Sequence, residues 1–370
     1  MTRDIIVVGA GIVGCAVAYE LARRGASVEV IDERPVGMGA TQASAGVLAP
    51  FLEAREGSPL LELTTRSLEL YDDFLSRVSS DSGVAVPYRR TGTIDVAIDD
   101  SELAALGRTA DVLSRRGVPA ALVDGVSARE EEPHLAPDVI GALVVNPHGY
   151  VAAADLTRAL AIAARRHGAQ LIEQSRVRRI AADGNDRVVE TDRGTLTGSG
   201  IVIAAGSWAG EIVIDGVALR VPVRPVRGQL LYLGWTGPPL RRVTWSRGCY
   251  LVPWEDGTVL VGATVEEAGF DERATVAGVF DLLEAACAIV PHAWTAAFRG
   301  ARVGLRPGTP DDLPIIGPSR VLPNVVYATG HYRNGILLAP LTAQVVADAM
   351  LENRIDPLLA SVSPSRFGEL

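Results

Sequence analysis

DIIVVGAGIVGCAVAYELARRGASVEVIDER, residues 4–34, switches hydrophobic period twice, and the switches mark its elements. Ile5 to Val8 form an unbroken apolar run, the pattern of a parallel strand covered on both faces. Val17, Leu21 and Ala22 follow at helical spacing, and Gly25 ends the helix. SVEVID then reads as a second strand. Between strand and helix, Gly9, Gly11 and Gly14 fit G-x-G-x-x-G. Gly9 permits the tight turn, Gly11 lets backbone approach a pyrophosphate, and Gly14 allows close helix–strand packing. The helix start offers its unpaired amides and positive dipole end to phosphate. Glu33, at the carboxyl end of the second strand and 19 positions after Gly14, is the acid expected to meet ribose hydroxyls. Asp32 is the second choice. A bare glycine triplet would fit a flexible loop, but here strand, helix, strand and acid fall in register, which predicts a dinucleotide site.

The next stretch separates a flavin from a nicotinamide. GMGATQASAGVLAP, residues 37–50, is small and hydroxyl-bearing where a nicotinamide domain would proceed to another regular strand–helix unit. Small side chains suit a backbone running close past a flat ring. GIVIAAG, residues 200–206, reads as a buried strand belonging beside the first one, with Gly206 and Trp208 at its end. A plain core strand with an aromatic plug satisfies that spacing too. GHYRNGILLAP, residues 330–340, sets His331, Arg333 and Asn334 between two apolar runs. Turns favour Gly, Asp, Asn and Pro over such a cluster, so something polar is expected to be met there.

Composition bounds the rest. The 370 residues are 48% hydrophobic, enough for a large core split into two domains. A net charge of −9 argues against nucleic acid and anionic membrane surfaces. The 3 cysteines are dispersed, giving neither a disulfide framework nor a metal cluster and pointing to a reducing cytoplasm. All 35 basic residues are arginines, so Schiff-base chemistry and lysine general bases are excluded. The apolar segment 5–19 is too short for the roughly 30 Å hydrocarbon core and lacks signal-peptide flanks.

Six motifs occur in order: the glycine triplet, ATQASAGVLAP, VIAAGSWAG, CYLVPWEDGTVLVGAT, GLRPGTPDDLPIIG and ATGHYRNGILLAP. Together they resemble the FAD-dependent D-amino-acid oxidase superfamily, and within it the glycine oxidases of thiazole (thiamine) biosynthesis. The resemblance runs nearly end to end. It implies non-covalent FAD, with Ile12 and Val13 at the pyrophosphate, Glu33 and Arg34 at the adenosine ribose, and Val177 at the adenine. Ala40, Thr41, Ala45, Gly46 and Val47 would line the flavin. Ala205, Gly206 and Trp208 would add a second nucleotide contact. His331, Tyr332, Arg333, Asn334, Gly335, Ile336 and Leu337 would close over the isoalloxazine, where the start of a helix stabilises anionic reduced flavin. Arg306 and Tyr250 resemble the clamp for the substrate carboxylate, with Arg333 beside it. An alternative for Arg306 is a structural salt bridge to Asp311 or Asp312.

The implied reaction is oxidation of a small amine beside a carboxylate. Hydride passes from the alpha carbon to FAD, the imine hydrolyses, and oxygen yields hydrogen peroxide. Glycine, sarcosine and small D-amino acids all fit, and glyoxylate imine would be available to thiazole synthesis. Competing readings are a dehydrogenase passing electrons to a carrier, an NAD-dependent dehydrogenase and a flavin-bearing scaffold. Three positions depart from the family: Gly248 replaces a His, while Val265 and Val47 replace Met residues. The missing lysine separates the chain from monomeric sarcosine oxidases, and Cys249 reads as core filler. Relatives form tetramers, which makes a homo-oligomer an implication of the resemblance.

The expected fold class is α/β plus α+β: a Rossmann-type FAD-binding domain with an antiparallel-sheet substrate domain, D-amino-acid oxidase-like. The FAD-binding domain takes residues 1–85, 146–219 and 299–370, and the substrate domain 86–145 and 220–298. A helix over 272–290 should pack on the second sheet, and the tail after Pro357 should be loosely held.

Overall fold

The computed structural model describes residues 4–53 and 57–370, so residues 1–3 and 54–56 of the first FAD-binding segment lie outside the described residues. The opening pattern folds as its periodicity dictates: β1 (Asp4–Val8), α1 (Ile12–Arg23), then β2 (Ser27–Ile31). The later strands of the two large sheets are β3 (Thr93–Ala97), β4 (Ala120–Asp124), β5 (Gly141–Val145), β6 (Gln170–Ile172), β7 (Gly200–Ile203), β8 (Arg224–Gly234) and β9 (Val243–Trp245). They continue with β10 (Tyr250–Pro253), β11 (Thr258–Gly262), β12 (Ala297–Gly308), β13 (Ile315–Pro318) and β14 (Val325–Thr329).

Six strands form the nucleotide sheet in the order β13–β14–β7–β1–β2–β6. β1 lies between β2 and β7, parallel to both, with Ile6 opposite Ile201, so GIVIAAG sits beside the first strand as expected. Eight strands form the second sheet in the order β12–β8–β11–β10–β9–β3–β5–β4. Its junctions are antiparallel except β3–β9, which is parallel, so the sheet is mixed where an antiparallel one was expected. α4 (Val276–Ile289) buries Leu282, Ala286 and Ile289 against it. The helix begins at Val276 because the Thr275 hydroxyl caps it, accepting from Gly278 N at 3.1 Å.

Two expectations are corrected. Residues 299–308, expected in the FAD-binding domain, belong to β12 and pair with β8. Their arginines fall at 299, 302 and 306 without a strict alternation, and the strand passes from exposed at 297–299 to buried at 303–305 along the edge of the second sheet, so the local pattern does not announce which sheet it joins. The tail after Pro357 is held rather than loose. Arg320 N donates to Leu370 O at 2.6 Å, Leu370 is buried, and Arg366 donates to the Asp311 carboxylate at 2.8 Å.

α5 (Gly335–Glu352) is apolar and long enough to span a membrane by composition, yet 72% of it is buried inside the protein. It packs on α1 and on α2 (Pro59–Glu69) as the core helix, and α3 (Ala153–Arg166) packs on α1 as well. Pro340 lies within it and leaves the Ile336 carbonyl without its helical donor. Tyr71 Oη supplies one at 2.8 Å, and Ser67 Oγ donates to the next carbonyl, Leu337 O, at 2.6 Å. The first turn of α5 is therefore fixed from outside the helix, next to the cleft described below.

Candidate active site

A single cleft opens at the carboxyl ends of β1, β7 and β14, the edge at which parallel sheets bind ligands, and extends under β8, β10 and β12. At its nucleotide end the glycine triplet divides into two kinds of requirement. Gly9 has φ +109°, and a Cβ there would lie 2.3 Å from Ala204 O; a Cβ on Gly14 would lie 1.8 Å from Gly9 O. The chain itself demands both. A Cβ on Gly11 would meet only Thr41 Oγ1, at 3.6 Å, so nothing in the chain requires glycine there and the space belongs to the cleft. α1 starts immediately after it with no side-chain cap, and Ile12 N donates to Thr41 Oγ1 at 3.1 Å.

β2 ends at Ile31, so Glu33 is not at the strand terminus and the acid beyond the strand is Asp32. Asp32 Oδ2 accepts from Ala10 N at 2.6 Å, over the glycine turn, and its Oδ1 accepts from Arg34 N at 2.8 Å. Burial holds its carboxyl above the ordinary range, opposed by those two amides. Glu33 lines the cleft but is half exposed, 3.8 Å from Arg176. Sequence spacing set the end of β2 too late, because a strand's end is fixed by its partners, here β6. Arg34 also lines the cleft, with its guanidinium on Glu272 at 2.9 and 2.8 Å and stacked 4.3 Å from the Trp208 ring. Val177, Ala205 and Gly206 complete this end.

In the middle, Ala40–Ala43 form a short 3-10 turn and Ala45, Gly46 and Val47 follow it along the cleft. A Cβ on Gly46 would lie 1.8 Å from Val151 O, so glycine is obligatory. Opposite, Gly335, Ile336 and Leu337 present the first turn of α5, whose N-cap Asn334 makes no side-chain cap. The polar cluster before it divides its labour. His331 is buried with Nε2 3.0 Å from Thr342 Oγ1, and burial pushes its pKa down to about 3. Its ring thus ties the turn to α5, a role that the sequence did not disclose. Tyr332 takes φ +47° and donates its N–H to Pro307 O at 3.0 Å, anchoring the turn to β12. Arg333 is exposed and lines the cleft.

At the far end Arg306 and Tyr250 come together with Trp245, which stacks on Tyr250 at 4.8 Å. Both side chains lie over glycines. A Cβ on Gly228 would be 2.4 Å from both terminal nitrogens of Arg306, and one on Gly262 would be 2.5 Å from Tyr250 Oη. Arg306 Nη1 donates to Thr264 O at 2.9 Å and Arg227 O at 3.4 Å. Asp311, the alternative partner weighed for Arg306, is paired with Arg366 instead. Sequence reasoning ranked Asp32 second and missed Trp245 and the two glycine beds. Glycine inside an apolar strand was the available signal for Gly228 and Gly262. Of the three departures from the family, Val47 lines the cleft, whereas Val265 is 54% exposed and Gly248 packs near Ala285. Cys249 is core filler, its thiol pushed up to about 12 by burial.

Residues 4–349 match the family model described as DAO, FAD dependent oxidoreductase. The chain belongs to the DAO family. This DAO-family enzyme is an oxidoreductase whose cofactor is FAD. It is 35% identical over 347 residues to glycine oxidase of Geobacillus kaustophilus, covering 93% of this chain and 92% of that protein. It is 35% identical over 372 residues to the bifunctional protein ThiO/ThiG of Nostoc, covering 99% of this chain but spanning only 55% of that longer relative. The crystal structure of glycine oxidase from G. kaustophilus superposes with a TM-score of 0.94 at 34% identity, covering 99% of both chains. That of glycine oxidase from Bacillus cereus gives 0.90 at 28% identity, covering 98% of each. The residues of the DAO-family cleft fit FAD. The open side of Gly11 and the start of α1, whose cap residue carries no side-chain acceptor, suit a pyrophosphate, and the small residues of 40–47, which share the cleft with the start of α5, suit a flat ring.

Proposed function

We propose that this flavoenzyme oxidises glycine and closely related small amino acids, and that Arg306 and Tyr250 hold the substrate carboxylate. One observation carries the reading: a guanidinium and a phenol converge over two glycine beds at the far end of an FAD-type cleft. The identity to glycine oxidases along nearly the whole chain supports the same substrate class.

FAD, when bound, supplies the two-electron acceptor, so the protein's task is orientation. Arg306 offers a planar, permanently charged fork that matches a carboxylate bidentately, and Tyr250 adds a hydroxyl donor. Trp245, stacked on Tyr250, lines the same end of the cleft. His331 is neutral and bonded to Thr342, so it is a positioning group rather than a general base. The substrate amine is therefore proposed to react in its neutral form. The uncapped amides of α5 place donors and a positive dipole end where negative charge develops. Asp32 is proposed as the ribose acid in place of Glu33, since its carboxylate already lies over the glycine turn. Oxygen is the proposed final acceptor, and the imine product is proposed to feed thiazole formation, in keeping with the similarity to ThiO/ThiG.

The test is an absorbance spectrum of the purified yellow protein before and after anaerobic glycine. Bleaching of the flavin, followed by recovery and peroxide formation on admitting air, is expected. A flavin that no small amino acid bleaches would refute the reading, and reduction without peroxide would indicate a dehydrogenase.

A further inference from the structure

We infer that Glu266, which does not line the cleft, is a positioning residue that sets the aim of the Arg306 guanidinium by gripping the carbonyl groups it donates to. This rests on the proposed role of Arg306 as the carboxylate-binding group.

The observation is a closed set of bonds behind the clamp. Arg306 Nη1 donates to Thr264 O at 2.9 Å and to Arg227 O at 3.4 Å. Glu266 holds both residues. Arg227 N donates to Glu266 O at 2.9 Å and Glu266 N to Arg227 O at 3.0 Å, a backbone bridge between β8 and the segment after β11. Glu266 Oε1 accepts from Thr264 Oγ1 at 2.5 Å and from Gln229 Nε2 at 2.8 Å. Its Oε2 accepts from Arg227 Nη2 at 2.5 Å and Nε at 3.1 Å. Gln229 N in turn donates to Thr264 Oγ1 at 2.9 Å. One carboxylate therefore takes four donors from three residues, and two of these residues carry the carbonyls that Arg306 meets.

Sheet pairing alone would not fix the Thr264 carbonyl, whereas Arg227 stands in the β8–β12 ladder. The β8–β11 ladder ends at Leu230 opposite Gly262, so Thr264 lies beyond the last ladder pair. The β8–β12 and β8–β11 pairings hold the strands regardless of Glu266. What Glu266 adds is the direction of Thr264 O. The chain also makes room for the device: a Cβ on Gly278 would lie 2.1 Å from Gln229 Nε2. Arg227 is buried and also reaches Asp271 at 3.1 Å, so losing Glu266 does not leave its charge without an acid.

The test measures anaerobic flavin reduction by glycine in the holoenzyme, giving an apparent Kd and a limiting rate. Glu266→Gln is expected to raise the apparent Kd about tenfold and change the limiting rate less than about threefold, because positioning of the carboxylate is what is lost. In an Arg306→Ala background the same substitution should add nothing, since it acts through Arg306. A merely structural role would lower the melting temperature and act equally in both backgrounds, which would overturn the inference, as would an unchanged Kd. Should Glu266→Gln not yield folded, yellow protein, Thr264→Val carries the test: it removes the gripped hydroxyl, keeps the carbonyl and is expected to raise Kd in the same way. If Arg306→Ala itself leaves the Kd for glycine unchanged, the clamp reading fails first, and the role of Glu266 falls with it.

Discussion

Gly228→Ala tests the geometry of the clamp without removing any functional group. The added methyl would sit 2.4 Å from Nη1 and Nη2 of Arg306 and 2.5 Å from Cζ, where ordinary contact begins at 3.4 Å. The guanidinium must retreat by roughly 1 Å. Gly228 lies within β8 at a conformation open to alanine, and the obstructing atoms are the tip of a flexible side chain, so the backbone need not move. The stability cost is therefore expected to stay below about 1 kcal/mol. Catalysis is less tolerant: a displacement of roughly 1 Å in a positioning group costs on the order of a hundredfold, about 2.7 kcal/mol of transition-state stabilisation. The assay is kcat/KM for glycine by peroxide release, with FAD content from absorbance and the melting temperature measured alongside. Expected are full FAD, a near-native melting temperature and a kcat/KM reduced about a hundredfold. A kcat/KM within threefold of the parent, on the order of the noise in such comparisons, would refute the bed beneath Arg306.

Arg306→Ala is expected to raise KM for glycine at least about a hundredfold while the protein stays yellow, because a desolvated carboxylate is left uncompensated at roughly 3–5 kcal/mol; steady-state kinetics and the visible spectrum check it. Gly14→Ala places a Cβ 1.8 Å from Gly9 O, a backbone atom that cannot yield. It should give colourless or unfolded protein, read from the absorbance of the purified product, and a normal FAD content would contradict the packing described. Burial, then repulsion from Glu102, raises the pKa of Asp95 to about 7. Because that folded value exceeds the unfolded one, Asp95 favours the folded state fully only below about pH 4, and this contribution is lost as pH rises through about 7. Asp95→Asn should accordingly raise the melting temperature at pH 8 and barely alter it at pH 4, and equal shifts at both values would count against the assignment.

How far the site could be read in advance depended on the range of the interactions involved. The Gly9–Gly14 turn, the apolar runs of β1 and β7 and the start of α5 are short-range patterns, set by backbone conformation and by burial on both faces, and each stands where its residues predict. The end of β2 at Ile31 was not legible, because β2 stops where β6 stops pairing with it, and the pairing stretch of β6 is about 140 residues further along the chain. His331 reads as a ligand donor because its partner Thr342 lies eleven residues ahead, two turns into a helix that the sequence gives no means of orienting. The segment 299–308 lies in the second sheet for a related reason: its apolar residues show that it is partly buried but not which neighbour it will find.

By itself, then, the sequence determined a dinucleotide turn and a lining of small residues suited to a flat ring, since these follow from residue types at fixed local spacing, whereas the carboxylate clamp entered only as an implication of the family resemblance. Only the tertiary structure decided that Gly228 and Gly262 cradle Arg306 and Tyr250, and that Glu266 stands behind them. Those arrangements arise from the register of antiparallel strands, and a shift of one residue would turn every one of these side chains to the opposite face.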